Sequence, residues 1–319
     1  MKIGVCIAAL LCSSVAHAQD AKDFPNRPIR IMGGGVGSTA DYLSRFIGHK
    51  LNEKWSQPVV VDSRSGAGGT LAADIVAKAA PDGYNLVMGH AGPMVSAVAL
   101  YKDLPYDPVK DFAPVSRMTT GVVVLVTHPS IPVSNTKELI AYIKQKGNIS
   151  YASAGNGSMS HLAGELFNGL AGVKVLHVPY KSAGFALTAL LSSETQISFL
   201  SPVTAHTQLK AGRVKALAVS SKTRFAGTPE IPSAVEAGIP GMDARLWFGL
   251  FTTARTPRAV VMKLNQEITE VLNKPDVKAM LLTQGAEASP STPEELGDFV
   301  KSELARWTPI IKAAGIKAD

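Results

Sequence analysis

The stretch IRIMGGGVGSTADYLSR, residues 29–45, reads as an apolar strand, a glycine cluster and the first turns of a helix. A second stretch, ISYASAGNGSMSHLAGELF at 149–167, repeats that order with Gly155 and Gly157 in the turn. Strand, glycine turn and helix in succession are the unit of a parallel sheet covered by helices. The spacing of Gly35, Gly37 and Ala40 fits the glycine pattern of a dinucleotide site, and PVVVD supplies an acid, Asp62, about 20 residues on.

Beyond these two stretches the chain keeps alternating. The pattern predicts strands at 28–32, 58–62, 85–89, 122–127, 149–152, 174–178, 196–200, 215–220 and 246–252. Between Ser38 and Lys54, Leu43, Ile47 and Leu51 recur every four residues, so this helix buries one stripe and is capped by Ser38 or Thr39. Asn135 followed by Glu138 marks the start of a helix at 135–146. Two proline-rich segments, YKDLPYDPVKDFAPV at 101–115 and TPEIPSAVEAGIPG at 228–241, read as irregular crossings that bracket a self-contained alternation. A second lobe at 123–243 inserted into a first lobe made of 19–122 and 244–319 is the economical arrangement. The tail from Pro257 is helical, with Leu264, Ile268, Val271 and Leu272 on one face. The fold class is α/β, with a cleft between two lobes that is a favoured ligand site.

Lys2, the apolar run from Ile3 to Leu11 and Ala16-His17-Ala18 before Gln19 make 1–18 a secretory signal peptide. Both cysteines, Cys6 and Cys12, lie inside it, so the mature chain carries no thiol or disulfide. Its expected location is a bacterial periplasm. Loss of Lys2 lowers the net charge from +7 to +6, spread without Lys/Arg blocks, which argues against nucleic acid.

A helix N-terminus exposes unpaired N–H groups at the positive end of its dipole, so it holds an anion without a basic side chain. Two such ends, one per lobe, facing one cleft would clamp a carboxylate. Taken singly, each stretch is equally well a tight turn with a capping serine. Lys181 in PYKSAG follows a strand and either reaches an anion or is merely solvated, while Trp247 in RLWFGLF belongs to a crossing strand. His161 either lines the cleft or steadies the first helical turn. No serine-hydrolase elbow and no closely spaced histidine pair occurs, so neither catalysis, a metal nor a cofactor is expected.

Further stretches carry a resemblance: FPNRPIRI, VVVDSRSGAGG, APDGYNLVMG, LPYDPVKDFAPV, GNGSMSHLAGELF, VPYK, LKAGRVKALAVSS, PSAVEAGIPG and WFGLF. In their order they resemble the periplasmic solute receptors of tripartite tricarboxylate transporters, the Bug receptors. The resemblance implies a two-lobed periplasmic binding protein, a Venus flytrap of type II character. It implies a monomer that closes on a small organic anion and delivers it to membrane permease subunits. The candidate ligand contacts are Gly37, Ser38, Thr39, His90, Ala91, Ser153, Asn156, Gly157, Ser158, His161 and Ser201. Where the family has Pro-Phe-Pro-Ala-Gly-Gly, this chain has Gly33 to Ser38, so an aromatic near the ligand is missing. Where relatives end a strand in Met-Phe-Asp, this chain has Ser198-Phe199-Leu200, and the acid that would pair with an amine is absent. The family's Tyr-Lys-Gly is Tyr180-Lys181-Ser182 here. These departures point to an amine-free ligand, a di- or tricarboxylate or an aromatic carboxylate such as a benzoate or terephthalate. The alternatives are a dinucleotide-dependent exported enzyme and a receptor serving a membrane sensor kinase.

Overall fold

A computed structural model describes residues 23–64, 66–313 and 315–316. The expected signal peptide lies outside the described residues.

The chain opens with β1 (Ile29–Gly33), α1 (Thr39–Trp55), β2 (Val59–Ser63), α2 (Thr70–Ala77) and β3 (Asn85–His90). A π-helical turn at Gly92–Ser96 leads into α3 (Ala97–Leu100), and the long strand β4 (Phe112–Val122) follows. Next come β5 (Val124–Thr127), α4 (Thr136–Lys146), β6 (Ser150–Ser153), α5 (Met159–Ala171), β7 (Leu176–Pro179), α6 (Ala183–Leu191), β8 (Ile197–Leu200), α7 (Pro202–Lys210) and β9 (Lys215–Val219). The chain ends with β10 (Arg245–Thr253), α8 (Arg258–Asn273), α9 (Pro275–Thr283), β11 (Glu287–Ala288) and α10 (Pro293–Ala313).

These strands form two sheets. One has the order β11-β4-β10-β3-β1-β2 and the other β7-β6-β8-β5-β9. In each, three parallel strands meet an antiparallel one that has just arrived from the other sheet: β10 beside β3, and β5 beside β8. The two halves therefore repeat one topology, and the carboxyl ends of their parallel strands lead into the loops that form the cleft.

Periodicity explains the packing. Leu43, Ile47 and Leu51 of α1 are fully buried with Ile29 and Ile31 of β1, and Leu264, Ile268 and Leu272 of α8 join the same cluster. Each such side chain contributes about 1.5–3 kcal/mol of burial. Among the described residues no helix is long and apolar enough to cross a membrane.

Two readings of the sequence need correction. The segment 101–115 is not irregular to its end, because β4 starts at Phe112. Pro114 disguised it: a proline reads as a breaker, yet here it stands opposite Phe251 beside a bulge in the β4–β10 ladder, where a missing N–H is tolerated. The run 122–127 is not one strand either. The chain leaves the first sheet at Val122 and enters the second at Val124.

Both crossings are tied at Ser220. Its Oγ accepts from Val123 N at 3.0 Å and donates to the Ala244 carbonyl at 2.6 Å, and its own N–H donates to Val123 O at 2.9 Å. Ser220→Ala strands a buried N–H and a buried carbonyl, which costs about 1–3 kcal/mol per group. Urea denaturation of the variant should show a loss of at least about 1 kcal/mol, and unchanged stability would mean that the hinge does not depend on this hydroxyl.

Candidate functional site

The two glycine loops are built alike. Gly37 turns the first loop with φ +77°, Ser38 caps α1 by accepting from Asp41 N at 3.2 Å, and Asp41 Oδ2 accepts in return from Gly37 N at 3.4 Å. Asp41 Oδ1 also accepts from Ser63 Oγ at 2.5 Å and from Arg45 Nε at 3.1 Å. In the second loop Gly157 has φ +72°, and Ser158 caps α5 by accepting from His161 N at 3.3 Å. There the return bond is made by His161, whose Nδ1 accepts from Gly157 N at 3.2 Å. Both loops thus carry a reciprocal cap, with the side chain three residues into the helix reaching back.

His161 steadies that turn. Its ring stacks on His177 with centroids 3.8 Å apart and an interplanar angle of 12°, and His177 Nε2 lies 2.6 Å from Ser153 Oγ. Burial pushes the His161 pKa down to about 4, so the ring is neutral and free to accept. His90, at the end of β3, is also held near 4 by burial. Its Nδ1 accepts from Gly92 N at 3.1 Å, which leaves the proton of the neutral ring on Nε2 as a donor.

A cavity of about 100 Å³ lies between the lobes. The structure brings Ser38, Thr39, His90, Ala91, Ser158 and Ser201 to its wall. It leaves Gly37, Ser153, Asn156, Gly157 and His161 behind that wall, within the same two loops. Five helix N-termini contribute to the lining: Ser38 and Thr39 of α1, Gly69 of α2, Ser158 and Met159 of α5, Ser182 and Ala183 of α6, and Ser201 of α7. Arg64 and Lys181 are the charged residues of the lining, which contains no aspartate or glutamate. Val123, Phe199, Leu200, Leu246, Trp247 and Phe248 supply an apolar side.

Sequence reasoning chose two of the five helix ends as the clamp and added Ser201 as a single contact. It missed the ends of α2 and α6 in the cavity lining and did not select Arg64. The signal lies in DSRSGAGG, which places an arginine and a glycine turn directly after a strand.

The lobes are closed on one another. Thr39 Oγ1 lies 2.5 Å from Ser201 Oγ and 3.3 Å from Thr204 Oγ1, and Ser182 Oγ donates to Val36 O at 3.4 Å. This seam removes the dinucleotide reading. The Gly37 N–H that a pyrophosphate would use already donates to Asp41 Oδ2, and Gly184 of the other lobe lies against the same residue. Asp62, the supposed ribose ligand, is engaged by Arg30 and Arg64. Their guanidinium groups, Arg30 foremost, hold its carboxyl below the usual carboxylate range. Among the described residues no cluster of three metal-ligating side chains occurs.

Comparison with known proteins agrees with this architecture. Residues 43–316 match the family described as "Tripartite tricarboxylate transporter family receptor". The chain is 36% identical over 316 residues to the "UPF0065 protein in tcbD-tcbE intergenic region" of Pseudomonas sp. (strain P51), covering 98% of this chain and 94% of that one. It is 31% identical over 318 residues to Protein BugT of Bordetella pertussis, covering 99% and 97%. Among solved structures, "R. palustris Rpa4515 with adipate" superposes with a TM-score of 0.90 at 32% identity, covering 93% of this chain and 100% of that one. MatC (Rpa3494) from Rhodopseudomonas palustris, with bound malate, gives a TM-score of 0.85 at 34% identity, covering 90% and 100%. The fold is that of a two-lobed periplasmic binding protein, and its neighbours are receptors and not enzymes. The chain belongs to the tripartite tricarboxylate transporter receptor family, the group that includes the Bug proteins.

Proposed function

We propose that this protein is an extracytoplasmic receptor that encloses a small, amine-free organic carboxylate between its lobes and delivers it from the periplasm to a tripartite tricarboxylate permease. The observation that carries the reading is the cavity wall: five helix N-termini and two cationic side chains face one space that has no carboxylate of its own. Such a wall attracts an anion and offers an ammonium group no counter-charge. Leu200 stands in the lining where an acid would pair with an amine, and Gly34 and Gly35 leave the first loop without a bulky side chain. Relatives solved with adipate and with malate, both amine-free dicarboxylates, support the same ligand class. Capture by one lobe followed by closure of the other is a population shift toward the arrangement described above.

Isothermal calorimetry against adipate, malate, benzoate and a set of amino acids tests the proposal. Binding of an amine-free acid, with no heat from the amino acids, is the expected result. Tight binding of an amino acid with none of the amine-free acids would overturn it.

A further inference from the structure

Arg64 has one face occupied and one face bare. Its Nε lies 2.9 Å from Asp62 Oδ1 and its Nη2 donates to Asp62 Oδ2 at 3.0 Å, so one edge of the guanidinium forks onto that carboxylate. The second edge, between Nη1 and Nη2, takes no hydrogen bond or ion pair among the described residues, and the side chain lines the cavity. A planar guanidinium offers two such edges to carboxylates, and fixing one aims the other.

The local charge does not balance. Asp62 also pairs with Arg30, which reaches it from the neighbouring strand, so one carboxylate faces two guanidinium groups and a positive excess remains. Lys181 lines the same cavity from the other lobe and has no ion-pair partner among the described residues. The two cations therefore stand on opposite sides of the cleft, Arg64 with one edge of its guanidinium open and Lys181 without an ion-pair partner among the described residues.

The hydroxyl-capped ends of α1, α5 and α7 provide a different chemistry, with short polar groups and backbone N–H donors. One carboxylate held there still leaves the open edge of Arg64 and the ammonium of Lys181 to be met. We propose that Arg64 and Lys181 form a second anion subsite that takes the far carboxylate of a dicarboxylate whose near carboxylate rests on the helix ends. The receptor then selects dicarboxylates over monocarboxylates of the same length. Asp62 is a positioning residue in this scheme: it holds Arg64 and does not touch the ligand. The inference rests on the reading of the cleft as a carboxylate site, and it deepens that reading from a class of acid to a number of charges.

Matched pairs of ligands separate the two. Calorimetry on the full mature protein with adipate against hexanoate, and terephthalate against benzoate, should give the dicarboxylate of at least one pair an advantage on the order of 10- to 100-fold, the worth of a charged hydrogen-bonded pair. In Arg64→Gln that ratio should collapse toward one. Lys181→Met, at an exposed position with no ion-pair partner among the described residues, should lower the ratio by a smaller factor and shows the effect even if the arginine variant folds poorly. Equal affinity for both members of each binding pair, or an unchanged ratio in both variants, would remove the subsite and leave the carboxylate reading intact. Failure of all four acids to bind would overturn the carboxylate reading and the subsite with it.

Discussion

Lowering the pH from 6.5 to about 4 is expected to remove several kcal/mol of stability, because His90 and His161 are both held neutral in the fold with pKa values near 4 against 6.5 for an unburdened histidine. The sign follows from which state takes up protons first. Above pH 6.5 both states are neutral at these positions and the stability is fully present. As the pH falls through the unfolded value the unfolded chain binds protons while the folded one does not, and stability drains until the folded pKa is reached. The slope is about 1.4 kcal/mol per pH unit for each histidine. The structural cost is local. Protonated His161 can no longer accept from Gly157 N, and protonated His90 can no longer accept from Gly92 N, so both strand-to-helix turns lose the bond that shapes them. Urea midpoints measured across this range should fall steadily, and His161→Asn, which keeps an acceptor but does not titrate, should reduce the slope. A flat profile would show that the two rings are not held as the structure has them.

Gly184→Val is expected to hold the lobes apart without unfolding either of them. A Cβ on Gly184 would lie 2.7 Å from Val36 O and 3.3 Å from Gly37 Cα, and all of these obstacles belong to the other lobe. Gly184 is the second residue of α6 and does not have a left-handed backbone, so a side chain is acceptable within its own lobe. Forcing extra atoms into such a contact costs about 1–3 kcal/mol, which here falls on the closed state and weakens ligand affinity on the order of 10- to 100-fold. Small-angle scattering should show a larger radius of gyration with ligand present than the parent protein has, at an unchanged melting temperature. Gly169→Val, where a Cβ meets nothing within 4 Å, serves as the control. Parent-like affinity in Gly184→Val would mean that binding does not require the closed seam.

Much of the architecture was legible because strands and helices here follow local rules. The strand read at 85–89 is Asn85–His90, and that read at 246–252 is Arg245–Thr253. Helix starts were legible through their caps: Asn135 accepts the bond that its position announces, Ser38 takes the cap expected of Ser38 or Thr39, and Ser158 proves to be the capping serine of the second glycine loop. What failed was non-local. Phe112–Val122 is a strand only because β10 lies against it, and no window of its own sequence outweighs Pro114. The same holds for the cavity. Glycine loops can be seen in sequence, whereas the meeting of Arg64, Lys181 and the ends of α2, α6 and α7 depends on strand order in two sheets and on lobe closure. His161 shows the limit from the other side: the sequence allowed it two roles, and only the fold sets its ring against His177, sixteen places along the chain.

The two crossings between the sheets are unequal, and that sets where this fold can change length. One residue, Val123, separates β4 from β5, while the return path runs through 220–244. Side chains alternate faces at every step of a strand, so one residue added at Val123 would turn each side chain of β5 over. All of β5 is buried, so each inverted side chain would meet the layer built for its neighbour. The return path is built of turns, and its exposed stretch at 222–224 can take an added residue without inverting a strand. Val123 thus acts as a reading frame in space: it keeps the two halves of the molecule in phase, and divergence in length is left to the other strand of the bridge.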